Sequence, residues 1–156
     1  VDAGEVPGLI AYAGDEPVGW CALAPRAAYP RLATSRNLRP PDDQPVWSVP
    51  CFFVRRAWRR RGLTGKLLRA AAAYARARGA RLLEGYPIES GRGDVPAAFA
   101  WTGFTAAFRQ AGFTEVARRS SRQAVFRKRL GRPARPRSLR PAGALASHRT
   151  SRGGTS

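Results

Sequence analysis

Arg59, Arg60 and Arg61 stand immediately before Gly62 in the segment CFFVRRAWRRRGLTGKLLRAAAAYARARGA, residues 51–80. A basic turn ending in glycine at the start of a helix is an anion site in outline. The first helical N–H groups, here from Leu63 through Gly65, lack partners inside the helix, and the helix dipole favours negative charge there. Gly62 lets the backbone approach a phosphate closely, Gly65 does the same within the first turn, and Thr64 and Lys66 sit beside them. One helix-dipole contact contributes only about 0.3–1 kcal/mol. A diphosphate that met several N–H groups and some of the three arginines would gain more. The spacing is neither a P-loop nor the dinucleotide G-x-G-x-x-G.

Glu84 is the second chemically suggestive residue. An acid inside the apolar run from Leu82 to Tyr86 must be paired or functional, and its commoner use is an ion pair with one of the many arginines. Cys51 has no histidine to activate it as a nucleophile. His148 is the sole histidine of the chain and falls in a polar, basic tail, and no cluster with metal-ligand spacing is present.

These residues need elements to hold them. Val46–Val54 reads as a central strand, apolar at its end, with Pro50 marking a bulge because proline cannot donate to a ladder. Leu63, Leu67, Leu68, Ala71, Tyr74 and Ala75 fall on one face of a helix that Gly79 ends. Arg81–Tyr86 is the next strand. The spacing predicts that Phe52–Val54 and Leu82–Tyr86 form a right-handed parallel unit around that helix. Upstream, Leu9–Ala13, a Gly-Asp-Glu-Pro turn and Val18–Leu23 read as a hairpin. Pro25–Pro45 is a long connection with a helical turn near Arg31–Ser35, either facing a substrate or simply a surface excursion. Downstream, the pattern predicts a helix over Ala97–Ala111, capped by Gly112, then strands over Phe113–Arg118 and Gln123–Lys128.

The run V-R-R-A-W-R-R-R-G-L-T-G-K-L-L resembles the coenzyme-binding motif of the GNAT superfamily of N-acetyltransferases, Arg/Gln-x-x-Gly-x-Gly/Ala, with Arg59, Gly62 and Thr64 at the marked places. Thr64 departs from the usual Gly or Ala. The hairpin L-I-A-Y-A-G-D-E-P-V-G-W-C-A-L and the run A-F-R-Q-A-G-F-T-E-V resemble further stretches of the same fold, so the likeness covers about Leu9 to Arg129. It implies an α/β fold with a mixed central sheet and a splayed parallel strand pair. The strand and two helices that such proteins carry before the hairpin are expected to be missing. It implies acetyl-CoA as co-substrate and no metal. The pyrophosphate would lie on the loop amides from Arg59 through Lys66, and the pantetheine arm along Phe52, Phe53 and Val54. The acceptor would be a primary amine of a small molecule or peptide, attacking directly in a ternary complex. The family's oxyanion donor is a backbone N–H of the central strand, here near Phe53. Its usual tyrosine acid is replaced by Phe108, which leaves Tyr86 as an alternative donor. Ser48 stands near the place of the usual base, and Glu84 is a candidate base or anchor for the amine.

The 156 residues suit one domain, expected over residues 1–130, followed by a basic tail over 131–156. That tail carries six arginines, no acid and little apolar periodicity, and is expected to be disordered. The formal charge is +18, from 28 Lys+Arg against 10 Asp+Glu, and it would attract nucleic acid weakly through the tail. Two rival readings follow: a coenzyme A-binding domain that turns over slowly, and a basic nucleic-acid-binding module, which lacks a clustered aromatic platform. No membrane association is expected, because no run of about 18 apolar residues exists. A cytoplasmic protein is expected from two cysteines in apolar runs and the lack of a leader. A homodimer is left open.

Overall fold

A computed structural model describes residues 7–89 and 101–132. Strands β1 (Gly8–Ala13) and β2 (Glu16–Ala22) make the expected hairpin, turning at Gly14, whose φ of 60° suits a residue without a Cβ. There follow β3 (Ala24–Pro25), α1 (Pro30–Thr34), β4 (Trp47–Val49), β5 (Phe52–Val54), α2 (Leu63–Ala77), β6 (Leu82–Gly85), α3 (Thr105–Gln110), β7 (Thr114–Arg118) and β8 (Ala124–Arg129). They form two sheets, β1-β2-β5 and β3-β4-β6-β8-β7. The β4–β6 pair is parallel, Ser48 beside Glu84 and Val49 beside Gly85, and the other pairs are antiparallel.

The sequence predicts Phe52–Val54 as the parallel neighbour of β6; the structure gives that pairing to Trp47–Val49 instead, while Phe52–Val54 crosses to β2. The reason is a bulge. Ala24 faces Ser48 but Cys21 faces Phe52, three steps on one strand against four on the other. The extra residue falls at Pro50–Cys51, where proline has no N–H to give the ladder, and Ala22 N–H reaches Cys51 O at 3.0 Å. The bend parts β5 from β6.

Helix α2 closes the core. Leu67, Leu68, Ala71 and Ala75 are buried against Cys21, Val49, Phe52 and Leu83. Its end is a Schellman motif: Gly79 at φ 85° donates to Arg76 O, and Ala80 N–H reaches back to Ala75 O at 3.0 Å. The opposite face of the larger sheet is covered by the long connection, with Leu32 packed on Tyr86 and Val125, and Tyr29 and Leu38 beside them.

Helix α3 begins at Thr105, later than the predicted Ala97, and residues 97–100 of that expectation lie outside the described residues. Phe104 is extended because its neighbours bond to the segment after β6: Ile88 N–H to Gly103 O and Thr105 N–H to Ile88 O. Of the expected tail, residues 133–156, including His148, also lie outside the described residues. Among the described residues, no helix is long and apolar enough to cross a membrane.

Candidate active site

The parting of β5 from β6 leaves one edge of β5 without a neighbouring strand among the described residues. Which amides point there follows from the ladder. Arg55 N–H donates to Val18 O at 3.0 Å, and Ala22 N–H donates to Cys51 O, so both are hydrogen-bonded pairs. Antiparallel pairs alternate. Phe53, opposite Trp20, is therefore engaged with β2, whereas Phe52 and Val54 turn their N–H groups to the open edge. The sequence points to the neighbourhood of Phe53, and it is the amides flanking Phe53, not its own, that face the open edge. The bulge accounts for the difference, since one added residue reverses which alternate amides face outward. Their side chains differ too: Phe52 is buried in the core and Phe53 is exposed on the other face.

From Val54 the chain passes through one tight helical turn, Arg56–Trp58, into the basic loop. Arg59 turns back to the strand, Nε donating to Val54 O at 3.1 Å. Arg61 stacks its guanidinium on Trp58, 5.1 Å from the ring centre. Arg55 pairs with Glu16. Arg60 and Gly62 both adopt left-handed conformations, at φ 59° and 74°, and fold the loop onto the helix. A Cβ on Gly62 would meet nothing within 4 Å, so the backbone there faces open space. Lys66 N–H is the first to close a bond within α2, to Gly62 O at 3.2 Å. The N–H groups of Leu63, Thr64 and Gly65 therefore have no acceptor inside the helix, and no side chain caps them. Leu63 anchors this end on β2, where a Cβ on Gly19 would come within 2.9 Å of it. The loop residues singled out in the sequence thus converge at one end of the open β5 edge.

Ser48, Tyr86 and Glu84 are also brought together, but inside the protein. All three are 0% exposed. Tyr86 donates to Glu84 Oε1 at 2.7 Å, and Ser48 Oγ lies 3.0 Å from the Tyr86 hydroxyl. Glu84 Oε2 accepts from Arg127 Nε at 2.7 Å, and Arg26 Nη1 lies 3.4 Å from Oε1. Arg127 then grips Asp42 with both terminal nitrogens, at 2.7 and 2.8 Å, while Arg26 donates to the carbonyls of Asp42 and Gln44. This network straps the long connection onto β6 and β8. Burial and the adjacent Glu84 carboxylate push the Tyr86 hydroxyl far above its ordinary range. The Arg127 guanidinium holds the Asp42 carboxyl well below the usual carboxylate range. Arg26, Asp42 and Arg127 carry no local sequence signal, because only the folded topology joins residues so far apart.

Phe108, which the resemblance sets at the family's tyrosine position, is fully buried among Phe52, Phe113 and Phe126, with ring centres 5.1–6.1 Å apart in edge-on contacts. On the other side of the sheet a cavity of about 540 Å³ opens next to the bulge, with Pro50, Tyr29, Leu32, Leu38 and Trp101 in its walls. The sequence leaves the long connection as either a substrate-facing loop or a surface excursion; Trp101 carries no signal of its own.

The sequence model of the acetyltransferase (GNAT) family matches residues 2–87, more than half of the chain and the whole path from the hairpin through the basic loop to Tyr86. The chain belongs to the GNAT acetyltransferase family. GNAT acetyltransferases use acetyl-CoA as donor. Solved structures share the GNAT fold at low identity. A GNAT-family acetyltransferase from Desulfovibrio desulfuricans is 18% identical over 80% of this chain and 68% of its own, with a TM-score of 0.53. An acetyltransferase from Thermus thermophilus is 20% identical over 79% and 63%, with a TM-score of 0.50. The YncA acetyltransferase of Salmonella typhimurium, solved with acetyl-CoA, is 19% identical over 85% and 69%, with a TM-score of 0.50. The chain thus spans between 63% and 69% of the length of these relatives. No curated protein matches it.

Proposed function

We propose that residues 1–130 form a domain that transfers an acetyl group from acetyl-CoA to a primary amine, in a ternary complex and without a metal. The observation that carries this reading is the join of three features: the open β5 edge, the left-handed turn at Gly62, and the uncapped start of α2. Acetyl-CoA would supply the activated thioester. The N–H groups of Leu63, Thr64 and Gly65 would bind its pyrophosphate, with Arg60 and Lys66 adding positive charge. The Phe52 and Val54 amides would hold the pantetheine arm and the thioester carbonyl, where charge develops during transfer. Arg59 and Arg61, engaged with Val54 and Trp58, would set the shape of the loop.

The buried network of Ser48, Tyr86 and Glu84 best fits a positioning role. It fixes β4 against β6 just before the strands part, and its oxygens are already occupied. The amine would then react from its neutral fraction and lose its proton to water. A thiolate of pKa about 8.5 leaves without a strong acid, so Phe108 does not prevent transfer. Two free thiols fit a reducing compartment such as the cytoplasm.

Thermal unfolding with and without acetyl-CoA tests the reading. At 100 times its Kd the ligand adds about 2.7 kcal/mol to stability. That gain should vanish in Gly62→Glu, which opposes the pyrophosphate by charge and bulk and strains the left-handed turn at φ 74°. Equal stabilisation of both proteins would sink the loop assignment.

A further inference from the structure

We infer that the acceptor is a primary monoamine bearing an aromatic or branched apolar group, and that any second charge on it is negative. This rests on the acetyl-transfer reading above and names the substrate class of that same site.

The cavity beside the bulge measures about 540 Å³, within the roughly 300–1,000 Å³ of small-molecule pockets. Pro50 belongs both to its wall and to the bulge that opens the β5 edge, so an occupant lies next to the point where the acetyl group would be presented. Tyr29 and Trp101 give two aromatic surfaces and Leu32 and Leu38 two aliphatic ones. Trp101 is 45% exposed, a large apolar area left for an occupant to cover. Covering such surface favours a planar or branched hydrocarbon group over a sugar or an extended polar chain.

Charge narrows the class further. Arg31 is the one charged side chain among the described lining residues, and none of them is acidic. A polyamine or an aminoglycoside would bring several ammonium groups into a wall with no carboxylate to replace their water, on a chain of net charge +18. A carboxylate on the acceptor would instead find the Arg31 guanidinium, whose fork suits it. In the transfer, the amine lone pair forms the N–C bond to the acetyl carbonyl carbon. The C–S bond breaks, and the proton released by the amine passes through water to the departing thiolate.

The intact chain is tested with phenethylamine, phenylalanine and spermidine. Product is identified by mass, and amine binding is read separately from tryptophan fluorescence without acetyl-CoA. The expected result is a kcat/KM at least about tenfold higher for phenethylamine than for spermidine. Leu38→Asp should raise KM for phenethylamine about tenfold or more while acetyl-CoA still stabilises the protein. Arg31→Glu should weaken phenylalanine relative to phenethylamine. Saturable quenching by phenethylamine, absent with spermidine and lost in Trp101→Phe, supports the cavity even if acetyl-CoA fails to bind and the transfer reading falls. Preference for spermidine, or no quenching by either aromatic amine, overturns the proposal.

Discussion

The ring of Phe108 lies so close to the backbone of Gly85 that a Cβ on this glycine would stand 2.2 Å from Cε1 and 2.7 Å from Cζ. Gly85 is the last β6 residue paired with β4, so the contact sits where the strands part. Gly85→Ala should cost about 1–3 kcal/mol, because neither backbone nor packed ring can yield freely. Phe108→Tyr should also lower stability and should not speed transfer, since Cζ, the carbon that would carry the hydroxyl, faces Gly85. Urea unfolding midpoints check both, and a faster, equally stable Phe108→Tyr enzyme would overturn the packing argument.

Glu84 tests position against chemistry. Glu84→Gln removes a fully buried charge from Arg127 and Arg26 and should destabilise by about 3 kcal/mol. Any loss of activity should then track loss of folded protein and recover on cooling or with saturating acetyl-CoA. A loss of 100-fold or more with an unchanged unfolding midpoint would instead make Glu84 a base.

Stability should fall at both ends of the pH scale, for opposite reasons. Arg127 lowers the Asp42 pKa in the folded state, so the stability Asp42 contributes is present above its unfolded value near pH 4 and disappears as pH drops further. Burial raises Cys21 from 9.0 to about 11, and burial with Cys51 nearby raises Tyr29 from 10.0 to about 12. Their contributions are therefore intact below pH 9 and lost as pH climbs towards those folded values. Cys21 alone accounts for about 2 kcal/mol by pH 11. Chemical denaturation at pH 8 and 10.5 should show a smaller loss for Cys21→Ala than for the natural chain.

The rate of transfer should rise with pH about tenfold per unit between roughly pH 6.5 and 9, following the neutral fraction of a primary amine. Steady-state kinetics over that range check this. A plateau near pH 7 would reveal a base within the protein.

The sequence made the loop and its helix legible because local signals agreed there: apolar spacing for α2, glycine at both ends, and three arginines before Gly62. Leu67 and Leu68 are buried as that spacing requires. What could not be read was the pairing of distant elements. Pro50 signalled an irregularity, but its one-residue register change, and hence the turn of Phe52 and Val54 to the open edge, depends on β2 and β3. Glu84 stands out in the sequence as an acid in an apolar run. Its partners Arg26 and Arg127, and the Asp42 that Arg127 also grips, are supplied by three other parts of the chain. The late start of α3 likewise follows from bonds that Ile88 makes to Gly103 and Thr105, which helical spacing cannot anticipate.

The bulge at Pro50–Cys51 also acts as an odd–even switch. Upstream of it, Arg26 N–H bonds to Val46 O, so even-numbered amides of the strand face β3 and odd-numbered ones face β6. Downstream the assignment is reversed. Deleting Cys51 there would keep every residue of the loop and Pro50 of the cavity wall, yet it would turn the opposite set of amides to the open edge. Which amides line the open β5 edge is set by how many residues precede it rather than by which ones they are.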